Sequence, residues 1–185
     1  MVMPDDVRRY TAQMVRELPE DGNRYEVVHG ELFVTPAPLP RHQAVVLRLH
    51  LLLHPYLESV GRKGWVFLGP ADISWDDETL VQPDVLVVPR EEVTNDWTTY
   101  KTLLLAVEIV SPSSARIDRV IKRRLYQENR VGTYWIVDPD AGLVEVWHPE
   151  DERPEIVSDT LRWRLESGAP ELAIDVRELF KDLPR

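Results

Sequence analysis

Cysteine is missing from all 185 residues. That excludes disulfides and thiolate metal ligands, so a bound metal has to be held by oxygen or imidazole. Long apolar runs are missing too. The most apolar stretch, 44–53, is interrupted by Arg48 and His50 and is too short to span a bilayer. The first turns of the chain, Met1 to Leu18, carry charges throughout and no apolar signal core; the sequence therefore reads as a cytoplasmic protein without a membrane anchor. Four familiar motifs are absent: the phosphate loop G-x-x-x-x-G-K-[ST], the G-x-G-x-x-G turn, the G-x-S-x-G nucleophile elbow and the H-E-x-x-H zinc helix. Ser111 and Ser113 have no histidine close in sequence, which argues against a serine hydrolase.

Basic charge is also in short supply. Lys and Arg number 22 against 32 Asp and Glu, a formal net charge of −10. This weighs against tight non-specific DNA binding, which works by neutralising phosphates with Lys and Arg. The charge is uneven, however. From Asp138 onward there are 13 acidic and 6 basic residues, whereas 115–130 is basic, with Arg116, Arg119, Lys122, Arg123, Arg124 and Arg130 against Asp118 and Glu128. A bound divalent ion would offset clustered carboxylates elsewhere.

What is present suits one domain: the length and a hydrophobic content of 43% are enough for a sizeable core. The pattern predicts a helix over 5–17 with Asp5 as N-cap, two short strands at 24–29 and 31–35 joined at His29-Gly30, and a long helix over 41–60. Apolar residues nearly surround that long helix, and Pro55 is expected to disturb it. Strands follow at 65–68, 71–75, 84–88 and 103–110. A helix over 115–130 comes next, its apolar stripe read as Ile117, Val120, Ile121 and Leu125. A hairpin at 133–137 and 143–147, further strands and a last helix at 176–180 complete a mixed α/β chain with one central sheet flanked by helices. The core is expected over 24–148 and a C-terminal extension over 154–182.

Two carboxylates are out of place. Asp84 opens an apolar strand directly after Pro83. Glu108 stands alone in Leu103–Val110, where every neighbour is apolar; left unpaired there it would cost several kcal/mol. Each has a plain alternative: Asp84 as an exposed strand end, Glu108 as a solvent-facing residue or an arginine partner. On neighbouring strands they are candidate ligands for a hard divalent ion, Mg2+ with Mn2+ as substitute, which takes oxygen donors and keeps several waters. Lys122, on the following helix, is the candidate amine to position a water; its alternative is a solvated lysine paired with Asp118 at i,i+4. Glu26 and Glu31 flank His29-Gly30, and either could reach the site from the first hairpin; each has an ordinary exposed strand position as its alternative, favoured for Glu26. His42 and Gln43 open the long helix, where backbone amides favour phosphate.

Four segments together resemble a known group: Gln82-Pro83-Asp84-Val85; Val107-Glu108-Ile109-Val110-Ser111-Pro112-Ser113-Ser114; Asp118, Lys122 and Tyr126; and Val131 through Pro139. With Arg24 through Leu32 and Arg41-His42-Gln43, the pattern is similar to bacterial restriction-endonuclease relatives within the PD-(D/E)XK nuclease superfamily. The resemblance implies a restriction-endonuclease-like mixed sheet and a homodimer. It also implies metal-dependent hydrolysis of DNA, with Asp84, Glu108 and the Ile109 carbonyl holding the metal. Val110 stands where the superfamily places its lysine; the resemblance moves that role to Lys122, supported by Asp118 and Tyr126. The rival expectations are a nuclease fold without activity, serving as a binding or regulatory module, and a purely structural α/β domain whose carboxylates are met by arginines.

Overall fold

Ten strands and four α-helices make up the described part of the chain, residues 9–184, in a computed structural model. Helix α1 spans Ala12–Arg16, and its N-cap is Thr11, whose hydroxyl accepts the Met14 N–H. The expected Asp5 cap lies outside the described residues. Strands β1 (Asn23–Val28) and β2 (Glu31–Pro36) form a hairpin of their own. The tight turn is made by His29 and Gly30, both at positive φ. Val27 packs with Ala12, Val15 and Leu80, fastening the hairpin beneath α1.

The central sheet has six strands in the order β3-β4-β5-β6-β7-β8: Gly64–Leu68, Val85–Pro89, Leu105–Ile109, Tyr134–Asp138, Leu143–Trp147 and Glu155–Val157. Only β5 and β6 run parallel; the other neighbours are antiparallel. The helical crossover between β5 and β6 is what parallel pairing requires. The sheet is buried on both faces, which explains why β4 and β5 read as unbroken apolar runs. One face carries Val85, Val87, Val107 and Trp135 against Val45, Leu49, Leu53 and Leu57 of α2 (Pro40–Ser59), together with Trp163, Ile174 and Leu179 of the C-terminal segment. That segment is the β9–β10 hairpin (Thr160–Trp163, Leu172–Asp175) and α4 (Val176–Phe180). The opposite face carries Leu86, Ala106 and Ile136 against Leu125 and Tyr126 of the crossover helix.

Several expectations need correction. Helix α2 continues through Pro55 as one element, and it is buried on one face only: Leu47 and Leu51 are 54% and 61% exposed. The strand expected at 71–75 reduces to a single bridge between Ile73 and Val81. The crossover helix is not uniformly α-helical. Ile117–Lys122 is a π-helical turn, closed by the Arg123 N–H donating to Asp118 O, before α3 (Arg123–Glu128). Its buried face is only in part the stripe read from the sequence: Leu125 is buried and Ile121 packs on the core, but Val120 is 39% exposed, while Asp118, Lys122 and Tyr126 are buried. In a regular α-helix residues four apart drift by about 40° per step. The wider π turn cancels that drift and keeps all three over the sheet.

Gly132, ahead of β6, shows how closely the parallel pair is fitted. A Cβ there would lie 2.8 Å from the Leu104 backbone oxygen. Gly132→Ala is therefore expected to push β6 away from β5 and to destabilise the fold by about 1–3 kcal/mol, measured by urea unfolding.

Candidate metal and phosphate site

Across the β4–β5 ladder Val85 faces Val107, so the register extended by one residue sets Asp84 opposite Glu108. The Asp84 N–H donates to Val107 O at 3.0 Å, and the Ile109 N–H donates to Asp84 Oδ2 at 2.8 Å. Asp84 is thus held rigidly at the point where β4 begins. The Ile109 carbonyl leaves β5 on the same edge as its N–H, beyond the last β4–β5 pair. Both carboxylates line a cavity of about 480 Å³, with Arg24, Glu26, Arg41, His42, Asp118 and Lys122 among its other walls.

Lys122 lies at the centre. Its Nζ lies 2.8 Å from Glu26 Oε2, 3.0 Å from Glu108 Oε1 and 3.6 Å from Asp118 Oδ1. The residue is 2% exposed, so the solvated-lysine alternative is excluded. Tyr126 donates its hydroxyl to the same Glu108 Oε1 at 2.9 Å. Both hydrogen bonds therefore end on one oxygen of Glu108, leaving Oε2 as the one available to a ligand. Glu26, expected to be exposed, is 2% exposed; its Oε1 accepts the Gln82 N–H at 2.7 Å. Arg24 donates from Nη1 to Asp84 Oδ1 at 2.8 Å, and His42 Nε2 is 2.9 Å from Asp84 Oδ2.

Three sequence-based assignments change. Glu31 is exposed and does not line the cavity. It sits at the turn end of the hairpin, whereas the cavity lies at the open end, beside Thr35 and Pro36. Gln43 points outward, and only its neighbours Arg41 and His42 reach the cavity. Glu26, for which an exposed position is the favoured reading, is in the site, and so is Arg24, which the sequence reading does not single out; the signal is that the two are two apart on one strand and share a face, with Val27 packed on the other.

The charges do not balance. Glu26, Asp84, Glu108 and Asp118 bring four carboxylates to one buried cluster holding Arg24 and Lys122. Burial, helped by the neighbouring carboxylates and opposed by Lys122, pushes the Glu108 carboxyl well above its usual range. Burial likewise raises Asp118 to about 6, against the pull of Lys122. Asp84 goes the other way: burial would raise it, but the His42 hydrogen bond, the Arg24 charge and the Ile109 N–H hold it at about 2. Lys122 stays protonated well above its usual range, because Glu108, Glu26 and Asp118 outweigh its burial.

These shifts set a pH profile. Asp118 and Glu108 bind protons more tightly folded than unfolded, so their contribution to stability is complete below about pH 4 and lost as pH rises, for Asp118 through about 6. Asp84 has the opposite sign. Its contribution is present above about pH 4 and lost as pH falls toward 2. Without divalent metal, stability measured by urea unfolding is expected to fall between pH 5 and 7.5. In Asp118→Asn that fall should shrink by on the order of 2 kcal/mol. An unchanged slope would mean that Asp118 is not buried among the acids.

The acid-rich cluster fits a hard divalent cation in charge and donor type. No three His, Asp or Glu side chains among the described residues form a ready-made cage. The fit is instead to an ion bound by a few protein oxygens and several waters, the habit of Mg2+. Asp84, Glu108 Oε2 and the Ile109 carbonyl are the residues that would hold it.

A mixed sheet flanked by helices, with an aspartate at one strand start facing a glutamate in the next, is a restriction-endonuclease-like α/β fold. Residues 12–177 match the model of the Uma2 family, described as "Putative restriction endonuclease", and the chain belongs to that family. A crystal structure described as a putative nuclease from Anabaena variabilis superposes with a TM-score of 0.74. It covers 92% of this chain and 97% of its own at 22% identity, a likeness of fold. An uncharacterised protein of Synechocystis is 25% identical over 162 residues, covering 83% of this chain and 82% of that one. Among the described residues no helix is long and apolar enough to cross a membrane.

Proposed function

We propose that this protein is a metal-dependent nuclease that hydrolyses DNA phosphodiester bonds in the cavity above Asp84 and Glu108. The observation that carries the reading is the position of Lys122. It is buried, points at the acids, and touches Glu108 and Glu26 at once. The valine at the superfamily's usual lysine position is thereby compensated from the crossover helix. A bound Mg2+ or Mn2+ would supply charge neutralisation at the phosphoryl group and a water acidic enough to attack it. Asp84 and Glu108 Oε2, with the Ile109 carbonyl, would hold the ion. Lys122 holds the Glu108 carboxylate in place and offers an ammonium to a developing negative charge. Asp118 and Tyr126 fix Lys122 and Glu108 from behind. His42, in the first turn of α2, meets substrate at the end of the helix where backbone amides favour phosphate.

The experiment is cleavage of plasmid and oligonucleotide DNA in Mg2+ or Mn2+, with chelator as control. Metal-dependent cleavage is expected from the wild-type protein and none from Asp84→Ala. Equal cleavage by both would remove Asp84 from the site.

One observation favours a second reading, a nuclease fold used for binding without hydrolysis. Asp84 is already satisfied by Arg24, His42 and the Ile109 N–H. That reading predicts a folded protein that binds no divalent ion at millimolar concentration.

A further inference from the structure

Arg24 is the cation that pairs with Oδ1 of Asp84. Its Nη1 is 2.8 Å from Asp84 Oδ1 and also donates to the Gln82 carbonyl at 3.3 Å. Both contacts run through Nη1, so Nη2 and Nε remain as donors on a side chain that lines the cavity and is 18% exposed. Strand β1 also brings Glu26 to the same cavity wall. Asp84 Oδ2 is taken by His42 and the Ile109 N–H. A cation approaching Asp84 therefore meets Oδ1, the oxygen that Arg24 holds.

We infer that Arg24 is an exchange residue. It neutralises Asp84 while no metal is bound, gives up Oδ1 when a divalent cation enters, and turns its freed fork toward the phosphate that completes the site. This rests on the metal-dependent reading proposed above. The chemistry suits the residue: a planar guanidinium stays charged, pairs with carboxylate, and pairs as well with a phosphate oxygen pair. Burial limits where it can go, because a desolvated arginine has to find another anion on leaving Asp84. The substrate phosphate, entering the cavity that Arg41 and His42 at the start of α2 also line, is that anion. Arg24 would thus couple the two binding events. Metal entry frees a phosphate ligand, and phosphate binding stabilises the position of Arg24 that leaves Asp84 open.

Two titrations with opposite expected signs test this. The first measures Mg2+ binding by calorimetry to the wild-type protein, Arg24→Ala and Arg24→Gln, the last keeping a polar side chain should Arg24→Ala fold poorly. Loss of the competing charge is expected to tighten Mg2+ binding on the order of tenfold in both variants. The second measures binding of inorganic phosphate to the Ca2+-loaded proteins, where affinity is expected to drop on the order of tenfold in both variants. A merely structural arginine would weaken both, and a residue acting only through its field would weaken phosphate by the same factor in the metal-free and the Ca2+-loaded proteins, whereas the exchange predicts the drop in the Ca2+-loaded proteins alone; either of the first two results overturns the exchange. No Mg2+ binding by the folded wild-type protein would overturn the metal-dependent reading and the exchange with it.

Discussion

Lys122→Ala will destabilise the protein by about 3–5 kcal/mol, the usual cost of removing one partner from a buried ion pair. Removal leaves Glu26, Glu108 and Asp118, each buried, without the one ammonium that touches all three. With total stabilities near 5–15 kcal/mol, that is a large share of the folding free energy. The loss should depend on pH with a definite sign. Glu108 and Asp118 already sit above their usual range with Lys122 present; without it they rise further. The variant should recover part of its stability on acidification from pH 7 to 5, as these carboxyls take up protons. Lys122→Met separates charge from volume, since it fills most of the space without an amine, and should recover little at pH 7. Urea unfolding at both pH values checks this. A loss below about 1 kcal/mol at pH 7 would mean the acids are neutralised by something other than Lys122.

Glu108→Ala has the largest expected effect on function. It removes the acceptor shared by Lys122 and Tyr126 and the free Oε2 on the cavity side. Divalent-metal affinity should fall at least tenfold, and metal-dependent cleavage should fall about a thousandfold or more, as when a group central to stabilising the transition state is lost. Stability should move the other way from Lys122→Ala. One of the excess buried carboxylates disappears, while Lys122 keeps Glu26 and Asp118 as partners. A variant that is as stable as wild type or more so, yet inactive, is the signature of a site that gives up stability for function. Glu108→Gln, which keeps the hydrogen-bond geometry without the charge, should lose activity to a similar degree.

The sequence made the acids legible because the strands around them are so apolar. A lone Glu108 between Val107 and Ile109 requires a partner on sequence grounds alone. Lys122 was harder. Spacing alone placed it on the flank of an apolar stripe, and a regular α-helix would have let Tyr126 drift away from Asp118. The π turn at Ile117–Lys122 corrects that drift and carries no signature in residue type. Arg24 and the burial of Glu26 are hard to read for a different reason. Two charges in a six-residue strand read as an exposed edge, and burial came only from packing the hairpin between α1 and the crossover helix. Glu31 is the favoured residue of the hairpin on sequence grounds, but the hairpin presents its open end to the cavity and packs its turn against Tyr10 and Glu78. Exposure of Leu47 and Leu51 on α2 shows the converse limit, since composition overstated how much of that helix the sheet could cover.

The most direct test of the central claim is a calorimetric Mg2+ titration of wild type and Glu108→Ala, each with a short cleavage-resistant DNA present to complete the ion's ligands. Saturable binding to the wild-type protein that weakens at least tenfold in Glu108→Ala is the predicted result. Equal affinity in the two proteins, or no binding by a folded wild-type protein, would contradict it.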